Sequence, residues 1–243
     1  MQAARRTLRE GLFVEITRAF GYIFDDKEWT SKLAIMAMIA FASTITSPLL
    51  IGLVGWALIL GYYVDLVRNL RDGHPTPLPR WDRYSDKITQ GTSVLTAVFV
   101  YAIPNFLVSC CIATTSGSWR DNFTGSFIGF GTICCLLPII LVYNFVTWPM
   151  LALGVARYAE ERNIGVFFQF GDLFDTLRRN PTPTIQWMLY TLIANIVIGI
   201  IAAVPCIGWA AAPALAIPIQ GYLTAALAGL IETPLRGPVK AKR

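Results

Sequence analysis

"TSPLLIG", Thr46 to Gly52, sits inside an apolar region that runs from Trp29 to Leu70. Whether that region is one helix or two decides the fold. At about 1.5 Å rise per residue, one helix over all of it would measure roughly 63 Å, about twice the hydrocarbon core of a bilayer. Pro48 cannot donate a helical hydrogen bond, so the stretch reads as a turn. The region divides into two spans, 29–46 and 49–70. Outward from there, 93–113, 126–152, 184–204 and 208–231 each offer the roughly 20 mostly apolar residues that a crossing needs. The sequence predicts six transmembrane helices. A four-span version, with 29–70 and 184–231 as single tilted helices, fails on length.

Composition supports this class. The 243 residues are 55% hydrophobic and 14% charged, against about 25% charged in soluble domains. The net charge of +5 does not point to nucleic acid, because the basic residues fall in short blocks between apolar runs. With the N-terminus inside, every one of the 20 Lys and Arg residues except Arg120 falls on the inner side. The positive-inside rule therefore predicts six spans, with both termini cytoplasmic. Residues 1–28 carry charges throughout, so no cleavable signal peptide is expected.

The expected organisation is a single all-α membrane domain. It has a cytoplasmic interfacial helix (1–28), a hairpin (29–70), a Pro-rich strap (71–92) and a second hairpin (93–152). A second interfacial helix (153–183), a third hairpin (184–231) and a basic tail (232–243) follow. An internal repeat suggests itself. "FGYIFDD" at Phe20–Asp26 echoes "FGDLFDT" at Phe170–Thr176. Leu12, Phe13, Ile16, Phe20, Ile23 and Phe24 share one helical face. Val166, Phe167, Phe170, Leu173, Phe174 and Leu177 share another. Each stretch precedes a tryptophan (Trp29, Trp187), a span, a proline turn (Pro48, Pro205) and a returning span with Gly-Tyr (Gly61-Tyr62, Gly221-Tyr222). Such helices suit a bilayer interface with anionic headgroups.

"GHPTPLPRWD", Gly73 to Asp82, separates the second and third spans. Gly73 can end a helix, and the alternating prolines keep the following chain extended. Trp81 suits headgroup depth, and Arg80, Arg83 and Lys87 are expected to face lipid phosphates. The stretch from Gly61 to Gly91 resembles the signature of an uncharacterised prokaryotic membrane family, domain of unknown function 4013. The matching residues are Gly61, Tyr62, Arg68, Asp72, Gly73, Pro77, Leu78, Pro79, Trp81, Asp82 and Gly91, with Tyr84 as a further aromatic. The resemblance implies the topology and supplies no activity.

No catalytic constellation can be named. His74 is the only histidine, and Cys110, Cys111, Cys134, Cys135 and Cys206 lack the Cys-x-x-Cys spacing of a zinc site. No cofactor is expected. A disulfide joining spans three and four is conceivable, and small apolar filling is the plainer reading. Asp65 approaches the bilayer, and Arg68, three residues on, is its expected partner. Four neutral amides, Asn105, Asn144, Asn195 and Gln220, lie in four different spans. They either glue helices or line a cavity. Pro213 and Pro218 beside Gln220 suggest an interrupted last helix, as at transporter binding sites. The expected function is a non-catalytic subunit or membrane organiser, in contact with lipid and possible membrane partners. The alternative is a permease for a small molecule or lipid.

Overall fold

The computed structural model describes residues 17–117, 123–204 and 207–231. Seven α-helices are described: α1 (Trp29–Thr46), α2 (Gly52–Arg71), α3 (Tyr84–Gly117), α4 (Phe123–Glu161), α5 (Phe170–Arg179), α6 (Pro181–Ala202) and α7 (Ile207–Ile231). There is no strand among the described residues. Six helices are long and apolar enough to cross a membrane: Trp29–Leu49, Gly52–Arg71, Tyr84–Ala113, Cys134–Glu161, Pro181–Ala202 and Ala210–Ile231. The chain is a multi-pass membrane protein, as composition required.

The deciding stretch behaves as expected. α1 ends at Thr46, and Ser47–Leu49 form a 3-10 turn. Leu50 takes a left-handed conformation, φ 62°, and its N–H caps the Ser47 carbonyl. In the last turns of α1, the hydroxyls of Ser43, Thr44, Thr46 and Ser47 donate to carbonyls four residues back. That satisfies them without a second helix, as an apolar solvent demands.

α2 is the central post. It packs against α1, α3, α4 and α7, most extensively against α3. Ile59, Tyr62, Val64, Leu66 and Val67 along it are fully buried. The α2–α3 crossing is set by two glycines. A Cβ on Gly91 would stand 1.6 Å from the Ala57 carbonyl oxygen, and one on Gly61 would stand 1.9 Å from that of Lys87. Only a residue without a side chain lets the backbones meet so closely.

Several boundaries move. α3 begins at Tyr84, so residues 84–92 are helix rather than strap, and the strap proper is 72–83. α4 runs on to Glu161, past the expected end at 152. Both extensions are polar helix ends, where hydropathy falls and hydrogen bonding continues. The face expected to join Val166 to Leu177 is broken at Gln169, between a 3-10 segment (Ile164–Phe168) and α5. Leu173 and Leu177 pack on the protein, while Phe170 and Phe174 stay exposed beside them. α7 is not interrupted: Pro213 and Pro218 lie inside one continuous helix. α3 and α4 also carry internal prolines, Pro104, Pro138 and Pro149. A proline removes one bond of the ladder, and packed neighbours hold the helix through it.

The two proposed repeat units differ in detail. Tyr22–Asp25 is a 3-10 turn, whereas the matching Asp172–Asp175 lie inside an α-helix. α1 packs on α7, but α6 has no comparable contact with α2. Leu12, Phe13, Ile16, Arg120, Pro205, Cys206 and the basic tail lie outside the described residues.

Candidate functional site

The strap folds into a latch. α2 ends in a Schellman cap: the Gly73 N–H donates to Leu70 O and the His74 N–H to Asn69 O, with Gly73 at φ 70°. Pro77, Leu78 and Pro79 are buried. The Asn69 side-chain amide holds the Pro77 carbonyl at 3.0 Å. Trp81 stacks on Tyr62, with ring centroids 4.6 Å apart, and its indole N–H donates to Lys32 O. The Lys32 ammonium in turn donates to Leu78 O at 2.9 Å and to Asp26 Oδ2 at 2.7 Å. Both charged side chains are buried. Burial by itself would raise the Asp26 carboxyl's pKa. The Lys32 hydrogen bond, the Glu28 amide and the charges of Lys32 and Arg80 outweigh it and hold that pKa below its ordinary value.

Ion pairs continue across this end of the molecule. Lys87 does not face lipid phosphates. It is 2% exposed and bonds Asp65 at 3.0 Å, with Asp82 at 3.7 Å. The reason is register: Gly91 fits against Ala57 and Gly61, which carries Lys87, one turn earlier, onto Asp65. Arg68 stands 3.6 Å from Asp65, the expected partner, and also donates to Ala159 O on α4. Arg71 pairs with Glu160, and Arg157 with Asp172 on α5. Arg80 and Arg83 are exposed. These pairs tie α2 to α3 and α4, and α4 to α5. Among the described residues no cluster of His, Cys, Asp or Glu could hold a metal. Cys110, Cys111, Cys134 and Cys135 occupy exposed positions and are not packed filler.

The four amides form two pairs. Asn105 and Asn144 exchange side-chain hydrogen bonds at 2.9 and 3.0 Å between α3 and α4. They lie on the wall of a groove of about 700 Å³ between α3, α4 and α6. Tyr101, Phe145, Trp148, Met188 and Leu192 form much of the remaining wall. Gln220 reaches Asn195 at a long 3.5 Å between α7 and α6. That pair lies on a second cleft of about 240 Å³ with Tyr63, Thr224 and Trp187. Val98, Trp148 and Leu151 line both spaces, so the groove and the cleft adjoin. Tyr63 and Thr224 share a hydroxyl hydrogen bond of 2.7 Å. The Trp187 indole N–H is buried without a hydrogen-bond partner, and its ring meets Trp148 edge-on at 5.7 Å.

A family model described as a protein of unknown function, DUF4013, matches residues 42–207. The chain belongs to this family. No curated protein and no solved structure matches it. The groove of this DUF4013 protein lies wholly inside the matched residues, while Gln220 and Thr224 of the cleft lie beyond them. The signature residues are structural in kind: Gly61 and Gly91 set a helix crossing, Tyr62 and Trp81 stack, and Pro77 and Pro79 seat the strap. Sequence reading misplaced Lys87 at the lipid, took Trp187 only as a repeat marker, and missed Trp148, Tyr63 and Thr224. A usable signal existed for Lys87. Gly61-x-x-x-Asp65 and Lys87-x-x-x-Gly91 are complementary when two neighbouring helices run antiparallel.

Proposed function

We propose that this DUF4013 protein is a non-catalytic membrane organiser. Its latch and ion pairs form a rigid platform at the cytoplasmic headgroup layer, and its lateral groove engages an apolar component of the bilayer. The observation that carries this reading is the groove itself: about 700 Å³ between α3, α4 and α6, with exposed apolar side chains and an amide pair on its wall. Its size falls among ligand cavities of about 300–1,000 Å³. The described residues assemble no set of acid, base and nucleophile, so a binding role accounts for the geometry better than a reaction.

Native mass spectrometry of protein extracted gently from its own membrane tests this. A lipid that stays bound through detergent exchange supports an organiser. A stoichiometric second chain supports the subunit form of the same role. A bare monomer under every mild condition would sink both.

A permease is the second reading, favoured by one observation. The groove adjoins a cleft at Asn195 and Gln220, near the middle of α7. Under it, Asn195→Leu and Gln220→Leu abolish flux into vesicles while the melting temperature stays put.

A further inference from the structure

The groove and cleft differ in chemistry, and the difference specifies an occupant. We infer that together they bind one amphiphile with an uncharged, hydrogen-bond-accepting head, the head in the cleft and the apolar tail in the groove. This rests on the groove reading above and adds the ligand class.

The head compartment is uncharged and the less apolar of the two. Amide, hydroxyl and indole groups line it, with no Lys, Arg, His, Asp or Glu among them. An ionised head placed there would lose its water and gain no counter-charge, which is costly. A neutral head finds donors at the cleft wall once the Trp187 ring turns, since its N–H is closed off in this structure. The Trp187 N–H is 3% exposed by residue and unpartnered, and buried polar groups are nearly always satisfied. The Gln220 amide holds Asn195 only at 3.5 Å, the outer limit of a hydrogen bond, so it can turn to a better acceptor. Carbonyl, ester and hydroxyl oxygens all qualify.

The tail compartment is apolar, and Leu141, Phe145, Ile185, Leu189 and Leu192 on its wall are exposed, as lipid-facing residues of a membrane protein are. Its Asn105 and Asn144 satisfy each other, so the groove presents few free donors to a tail. Val98, Trp148 and Leu151 stand between the two spaces and touch both. A molecule entering sideways would therefore pass Trp148 with its head before reaching Trp187. The two volumes, about 700 and 240 Å³, suit a long tail and a small head.

The test uses the purified full chain in detergent. It is incubated with an equimolar mixture of diacylglycerol, phosphatidic acid and a primary alkylamine of matched chain length. Bound species are read by native mass spectrometry. Diacylglycerol should exceed each charged analogue by about tenfold. Trp187→Phe keeps an aromatic ring and removes the donor, so it should cut diacylglycerol retention about fivefold, the worth of one ordinary hydrogen bond. Residual phosphatidic acid should stay unchanged. Gln220→Leu provides the same reading if Trp187→Phe does not fold, with melting temperature as the control. Equal binding of the charged analogues overturns the inference and leaves the groove reading standing. So does indifference of diacylglycerol to a folded variant. Retention of no lipid at all overturns both.

Discussion

At Gly91 a single methyl group decides whether two helices can meet. Its Cβ would fall 1.6 Å from a backbone oxygen, which no side-chain rotation can relieve. Gly91→Ala should therefore destabilise the protein by at least the usual overpacking cost of about 1–3 kcal/mol. Thermal unfolding in detergent reads this directly, and an unchanged midpoint would disprove the close crossing. Lys32 and Asp26 make a second single-residue case. Lys32→Met leaves a buried carboxylate unpaired, a loss of about 3–5 kcal/mol. Asp26 also gives a pH dependence. Its folded pKa is depressed, so its stabilisation is present above the unfolded value of about 3.9 and disappears as pH falls through the folded one. The melting temperature should drop on acidification below about pH 4. Asp26→Asn should flatten that part of the curve.

Among elements, the α3–α4 pair is joined by the reciprocal bonds of Asn105 and Asn144. A double-mutant cycle with Leu at both positions should give a coupling of about 0.6 kcal/mol, typical of polar pairs between membrane helices. No coupling would mean the amides act independently. The α1–α2 turn supplies a contrary case. Leu50→Gly relieves a left-handed backbone and should leave stability unchanged or raise it by up to about 1 kcal/mol. The elements themselves were largely legible from the sequence. Pro48 placed the first turn, and span length forced six crossings. The ends of α3 and α4 were not legible, because residues 84–92 and 153–161 are helical without being uniformly apolar. The amides were visible one by one, but which met which depended on how each helix is rotated. Trp187 was visible only as the tryptophan that opens a span in the second repeat unit, and its burial puts it at the cleft. Lys87 looked like a lipid contact for the same reason: one sequence does not reveal which helix face meets a neighbour.

Across the whole molecule, the described ion pairs gather at one end, where α2 finishes and α3 begins, and they tie α2 to α3 and α4. If that end is cytoplasmic, the turn at 47–51 lies outside. In a variant with its own five cysteines replaced by Ser, Leu50→Cys should react with a membrane-impermeant maleimide in whole cells. His74→Cys should react only after lysis, and the opposite pattern would invert the topology. The latch also has a consequence for how the chain is made. Trp81 grips the carbonyl of Lys32, while Lys32 grips that of Leu78. The foot of the first crossing is thus tied to the segment that follows the second. Synthesis runs from the N-terminus, so this tie can close as soon as the strap leaves the ribosome, before the third crossing has been translated. The first hairpin would then be cinched from below and stand as a finished post, against which every later helix is laid down.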